Sequence, residues 1–473
     1  MIATSFIAFL SLFLLIGISS AFVAKKTAHD YLIANQSVPP WLVGLSAVAT
    51  NNSGYMFIGM IGVTYSTGLS SLWIMIGWII GDLTASLLSV TRIRQASERK
   101  NINSFGGLIA HWHGQDHRQL RRLVGFFTVF FLTVYAAAQL KAGSKATSVL
   151  LDWQPETGII AGAAIVLVYS LSGGLRASIW TDAAQSMVMM VGMLALMGVG
   201  IHINGGLSSS LDQLHAVSDD YMNLMGDMGA FEGLLFIIGW FFGGTAVIGQ
   251  PHVIIRFMSI SSTEQVKNMR VYYYLWFTFF YAATVMVGLL CRLIFPEAGS
   301  FDPELALPKM AQSLLPDVFV GLVLAALFAA TLSTADSLIL SCSAAATRDF
   351  FSGKGQSLIA AKISTFSVLS VAVWIALSNN QTVFNLVLDA WGLLASAFVP
   401  LILNYCFGRR LPEYAAMATV IIGVVVFVTW NKAGLGGLVY SVAPGTVAGL
   451  ITFAVLHRLW GDNEGEVHGH EPN

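Results

Sequence analysis

The ninth long apolar stretch of the chain carries the run Ala330-Thr331-Leu332-Ser333-Thr334-Ala335-Asp336-Ser337. Ala330, Ser333, Thr334 and Ser337 fall at i, i+3, i+4 and i+7, so three hydroxyls share one helical stripe, and the small Ala330 leaves its backbone carbonyl accessible. Oxygen ligands so arranged suit a hard cation; the competing reading is that each hydroxyl bonds back to its own helix. Three more interruptions stand in apolar surroundings. Thr50-Asn51-Asn52-Ser53-Gly54 favours turns and caps over helix interior and predicts a broken helix. Gly243-Gly244-Thr245 predicts a second break or a packing notch. Asp182, near the start of its apolar run, is either a functional acid or a helix-start partner.

These residues need a scaffold, and composition says which. Of 473 residues, 56% are hydrophobic and only 10% charged, against about 25% charged in soluble domains, so the chain requires lipid as solvent. The net charge of -1 gives no basic excess for nucleic acid. Cys291, Cys342 and Cys406 form neither a disulfide framework nor a metal spacing. Because a lipid-crossing helix needs about 20 apolar residues, the spans can be counted: 2-23, 40-66, 70-92, 123-150, 157-172, 177-203, 230-250, 271-295, 315-347, 357-378, 382-408, 412-431 and 438-460. The first lacks the basic start and cleavage site of a signal peptide. With the N-terminus outside, 19 of the 24 basic residues fall at cytoplasmic ends, among them Lys25, Lys26, Arg176, Arg256, Arg409 and Arg410. The acidic 204-229 connection then lies outside and the 461-473 tail is cytoplasmic.

Spans two to six and seven to eleven make two five-helix halves, and the two interruptions sit in the first helix of each. Interrupted segments at matching positions point to a transporter site near the bilayer midplane, where unwound backbone presents carbonyls to a cation and amides to an anionic group. An acid at a helix centre costs about 2.5–3.5 kcal/mol on insertion scales, so Asp182 and Asp336 call for a reason.

With these segments in view, the sequence resembles the solute:sodium symporter family, most nearly its sodium/proline branch. The likeness is carried by Ser46 to Gly54, Ser172-Gly173-Gly174-Leu175-Arg176 continuing to Thr181-Asp182, Gly249-Gln250-Pro251-His252 with Arg256-Phe257, Ser333 to Ser337, and Ala390-Trp391-Gly392. The resemblance implies an all-α membrane protein of the leucine-transporter (LeuT) type. Its thirteen helices would form two inverted repeats (40-203 and 230-408), with one helix before (2-23) and two after (412-460). It implies a symporter importing a small amino acid such as proline, or an organic acid, with one or two sodium ions, in a bacterial inner membrane and without an obligate protein partner.

By the same resemblance, one sodium is held by backbone oxygens of Ala49, Asn52 and Ala330 and hydroxyls of Ser333 and Thr334. A second is held by Asp182, Ser333 and Ser337 with the position of Asp336. The solute lies among Asn51, Ser53, Gly54, Tyr55, Tyr135, Gly243, Gly244, Thr245 and Val247. The chain departs at Asn51, where relatives often carry an acid, and at Gly243 and Val247, where they bring bulky rings.

Two other classes compete. Asp182 and Asp336 could form an aspartyl pair in an intramembrane enzyme, although no Gly-x-Gly-Asp run or His-Glu-x-x-His motif occurs. A transporter-like substrate sensor working with a partner in trans is the other. His111, His113 and His117 read as a solvated loop, and Lys141, Lys145 and Asp389 as charges along a water path or snorkelling to the surface.

Overall fold

A computed structural model describes residues 1–20, 22, 27–99, 102, 104–297, 299–350, 358–378 and 381–460. Lys25, Lys26, Lys100, Lys354 and the 461–473 tail lie outside the described residues. Among these residues the architecture is all-helical, with one isolated bridge between Val38 and Ile260. Eleven stretches are long and apolar enough to cross a membrane. One of them, Pro40–Glu98, has 59 residues, about 90 Å if fully helical, and Gly68 at φ 71° divides it into spans two and three. The shorter apolar helix Pro155–Val168 supplies span five, so thirteen crossings result.

Spans five and six are not separated by a loop. Pro155–Ile203 is helical over 49 residues and turns at Gly174, φ 60°, where a Cβ would strike the backbone oxygen of Tyr31. Only glycine fits that contact and that conformation.

Span two starts with Pro40 at its first position and breaks at Ser53, whose φ of 49° and ψ of −171° leave the helical region. It resumes through a π turn, Tyr55–Met60, and the helix Ile61–Thr67. Span seven takes the packing-notch reading of its glycine pair and not the break. Its helix Ala230–Thr245 runs unbroken through Gly243-Gly244-Thr245, and the break follows as a 3-10 turn, Ala246–Gly249, with Gln250 extended before the helix Pro251–Met258. Pro251 sets the place, because a residue before proline is driven out of the helical region.

The glycine pair instead serves packing. A Cβ on Gly244 would land in the carbonyl of Trp78, and one on Gly81 in the carbonyl of Phe241, so spans three and seven meet backbone to backbone. Gly244→Leu is expected to cost at least about 1–3 kcal/mol by overpacking and to abolish a monodisperse gel-filtration peak. Gly198→Ala, which meets nothing within 4 Å, should leave the peak unchanged.

Span nine, Asp317–Phe350, is the bundle's axis: 89% of its apolar window is buried, against 17% for span one, Ile2–Ser20, which is left to face lipid. The hydroxyl stripe is therefore inside protein. Trp41, Trp153 and Trp460 are exposed near helix ends, as interfacial anchors require.

Candidate functional site

The break at Ser53 frees backbone groups that an intact helix would use. The N–H of Gly54, which would donate to Thr50 O, donates to Gln139 Oε1 at 2.9 Å, and the N–H of Tyr55 turns to Ser53 Oγ at 3.1 Å and to Asn52 O. Thr50 O instead faces Thr334 Oγ1 of span nine at 3.5 Å. A Cβ on Gly54 would lie 2.7 Å from Thr331 Cγ2, so the bend abuts the hydroxyl-bearing helix. Ala49, Asn52, Ala330, Ser333 and Thr334 are all buried, with Thr334 in contact with the break and Ser333 turned to Asp182. Thr50 Oγ1 and both amide atoms of Asn52 have no partner. Buried orphans of this kind need an explanation, and for the two oxygens, Thr50 Oγ1 and Asn52 Oδ1, a small cation taking neutral oxygens provides one. The oxygen donors present, carbonyl and hydroxyl, fit a sodium ion. Of the expected backbone ligands Ala49, Asn52 and Ala330, Asn52 O accepts the N–H of Tyr55; Thr50 O, which was not among them, is the carbonyl that meets span nine.

Of the four residues expected to hold a second ion, Asp182 and Ser337 are bonded by a guanidinium, while Ser333 donates to Asp182. Arg256, 1% exposed, donates from Nη2 to Asp182 Oδ2 at 2.9 Å, to Ser178 Oγ at 3.0 Å and to Ser337 Oγ. Its Nε reaches Ser46 Oγ at 2.7 Å and its Nη1 the carbonyl of His252 at 2.8 Å. Asp182 also accepts from Ser46 at 2.5 Å and from Ser333. A cation already balances Asp182, so this group does not fit a second sodium as arranged. Asp336 accepts from Ser170, whose carbonyl is held by Tyr31 at 2.6 Å, and also bonds Ser178, the serine that accepts from Arg256 Nη2. Asp182 and Asp336 thus bind different partners, and the shared-proton geometry of an aspartyl enzyme is not formed.

On the other side of the break, Asn51 Nδ2 donates to Tyr273 Oη at 2.5 Å and to Asp82 Oδ2 at 3.2 Å. Asp82, from span three, receives Tyr273 at 2.9 Å and Tyr274 at 2.6 Å as well. The acid missing at position 51 is therefore one hydrogen bond away. Tyr135 donates to Ser53 Oγ at 3.3 Å and meets the ring of His252 edge-on at 5.6 Å; His252 meets Trp391 at 6.1 Å. Tyr55 stacks on Phe384 and lies 5.6 Å from Trp78, which contacts both Trp240 and Trp391.

Both ring nitrogens of His252, Gln250 Oε1, Gln139 Nε2 and Asn51 Oδ1 are buried without partners. Gln139 shares span four with Tyr135, and Gln250 and His252 flank Pro251; buried polar groups beside aromatic rings are of the kind that can recognise a small polar solute. Gln139, Gln250, His252, Trp78 and Trp391 were absent from the expected lining. Gln250-Pro251-His252 was the available signal, being polar residues at the real break of span seven. Gly243 and Gly244 are in regular helix, with Gly243 O accepting Trp391 Nε1 at 2.9 Å, and Thr245 bonds back to Phe242 O at 2.8 Å. Val247 lies buried in the 3-10 turn.

A cavity of about 510 Å³ opens at the end of the bundle carrying the 204–229 connection and reaches down to Trp240 and Phe384, the outer members of the aromatic cluster. Beside it Lys145 bridges Asp302 at 2.6 Å and Glu304, while Glu304 accepts the N–H groups of Phe384 at 2.9 Å and Val383 at 3.3 Å. Lys141 reaches Gln381 O at 2.5 Å and Asp389 accepts from Asn431 at 2.9 Å. These charges tie helix ends together rather than standing free. At the opposite end His113 packs on Tyr405 at 4.8 Å; burial, with Arg410 nearby, pulls it down to about 4, so it is neutral at pH 7. His111 pairs with Asp116 at 3.2 Å.

Thirteen crossings in two halves, with a broken helix opening each half, define the LeuT-type transporter fold. Solved structures agree on the fold: a sodium-coupled sialic acid symporter, 18% identical, superposes with a TM-score of 0.80 over 96% of this chain and 98% of that one. MhsT in complex with L-phenylalanine gives 0.57 at 15% identity, over 88% and 98% of the two chains. The model of the sodium:solute symporter family matches residues 31–423, and the chain belongs to that family of sodium-coupled carriers. The high-affinity proline transporter PutP of Bacillus subtilis is 29% identical over 91% of this chain and 93% of its own. Sodium/proline symporter 2 of Staphylococcus saprophyticus is 30% identical over 94% and 90%. The protein is a multi-pass plasma-membrane protein, and the relatives named here are transporters.

Proposed function

We propose that the protein imports L-proline or an amino acid of similar size, one sodium ion per solute, by alternating access between the repeats 40–203 and 230–408. The N-terminus then faces outward and the tail the cytoplasm. The observation that carries this reading is the seating of the span-two break on the hydroxyl stripe of span nine, with Thr334 Oγ1 at Thr50 O. An ion at that junction draws the two helices together, so sodium selects the conformation in which the solute pocket is complete. Neutral oxygens from Ala49, Asn52, Ala330, Ser333 and Thr334 would form its shell. Tyr55, Tyr135, Trp391 and His252 would enclose the solute, next to Asn51, Ser53 and Gly54. The names of the proline-transporting relatives support proline as the first solute to try.

One sodium falling through about 100 mV contributes roughly 2.3 kcal/mol, and a tenfold sodium gradient about 1.4 kcal/mol, enough for roughly a 500-fold solute gradient. Purified protein in potassium-loaded proteoliposomes should accumulate labelled L-proline when sodium is added outside with an inside-negative potential. It should equilibrate without overshoot when choline replaces sodium. Equal uptake under the two conditions would refute sodium coupling.

A further inference from the structure

Several buried acids of this protein have basic partners: Asp182 has Arg256, Glu304 has Lys145 and Asp30 has Arg176. Asp82, 1% exposed, makes no ion pair among the described residues. Its donors are the amide of Asn51 and the hydroxyls of Tyr273 and Tyr274. Of the buried acids without a basic partner, Asp336 and Asp349 are hydrogen-bonded to serines, Ser170 and Ser104. Asp82 is bonded to the break of span two.

Three neutral donors stabilise a carboxylate but leave its charge unbalanced, and an unbalanced charge in a low-dielectric interior favours a cation nearby. Asn51 transmits that preference. With Nδ2 committed to Tyr273 and Asp82, the planar amide turns Oδ1 away from them, and this atom is buried and unpartnered. A hydrogen bond from Nδ2 to a carboxylate also polarises the amide and strengthens Oδ1 as an acceptor. Thr50 Oγ1 and the Asn52 amide, its chain neighbours, are unpartnered as well.

We propose that Asn51 Oδ1, oriented and polarised by Asp82 with Tyr273 and Tyr274, receives the ammonium group of a zwitterionic amino acid. Asn51 then touches the solute, and Asp82 is a positioning residue that supplies the negative charge from span three. This rests on the amino-acid reading above and adds which end of the solute is recognised, and by what.

The test is competition against labelled L-proline uptake in proteoliposomes, comparing unlabelled L-proline with cyclopentanecarboxylate, which keeps the ring and carboxylate and lacks the ammonium. The parent should prefer proline at least 100-fold. Asp82→Asn should reduce that preference at least tenfold with the half-saturating sodium concentration unchanged. The double variant Asn51→Asp/Asp82→Asn, which exchanges carboxylate and amide across the same hydrogen bond, should restore it. A preference unchanged in Asp82→Asn overturns the proposal, as does a shift confined to sodium half-saturation, which would make the bound group a metal ion. Should Asp82→Asn fail to fold, the double variant decides alone: parental preference supports the proposal, and loss of preference with uptake retained overturns it. A parent that takes up no amino acid removes the amino-acid reading itself, an outcome distinct from these.

Discussion

Removing either member of the Asp182–Arg256 pair is expected to cost about 3–5 kcal/mol, because the survivor is left as a buried, uncompensated charge. The two side chains are 0% and 1% exposed, so water cannot take over the lost partner. In Arg256→Gln, Ser46, Ser178 and Ser337 also lose a donor; in Asp182→Asn, the guanidinium keeps its serines and loses its counter-charge. Thermal unfolding in detergent should show both single variants well below the parent. Asp182→Asn/Arg256→Gln should recover a large part of the loss, since residues in one network do not contribute additively. Single variants as stable as the parent would mean that the pair does not exist in the folded protein. The same pair predicts that sodium dependence of uptake follows a Hill slope of one. A guanidinium tethered at Asp182, Ser178 and Ser337 occupies the place a second ion would need.

The crossings were legible in the sequence because lipid forces every backbone hydrogen bond to be made within a helix, which turns hydropathy into a count. The break of span two was legible for a related reason. Thr50 to Gly54 is a run of residues that compete with helical hydrogen bonding, and a bilayer offers no water to excuse it. The break of span seven was displaced because glycines carry two meanings. Gly244 admits the Trp78 backbone, whereas the interruption belongs to Gln250-Pro251, where proline removes a donor and pushes its predecessor into extended backbone.

Arg256 illustrates a different limit. Counted by its place near a span end, it is one more positive charge for the cytoplasmic side. The helix Pro251–Met258 is entirely buried, however, and turns Arg256 toward Asp182, 74 residues earlier in the chain. Asp82 was hidden in the same way, since its partners Asn51, Tyr273 and Tyr274 are 31, 191 and 192 residues distant. Spacing rules see one helix at a time, and both groups take their meaning from neighbouring helices.

The account depends most on sodium being held where the broken second span meets span nine. Ser333→Ala also deprives Asp182 of a donor, so Thr334→Ala isolates the junction better, and the double variant should enlarge its effect. An oxygen ligand to a charged group contributes about 1.5–3 kcal/mol, so each substitution should raise the half-saturating sodium concentration by roughly 10- to 100-fold. Solute affinity at saturating sodium should change much less, because neither hydroxyl belongs to the recognition set around Asn51, Tyr135 and His252. Sodium-titrated L-proline uptake in proteoliposomes, parent against Thr334→Ala and Ser333→Ala/Thr334→Ala, reads this directly. The account predicts a large rightward shift in the sodium curve with near-parental maximal uptake, and a sodium curve that superimposes on the parent's would contradict it.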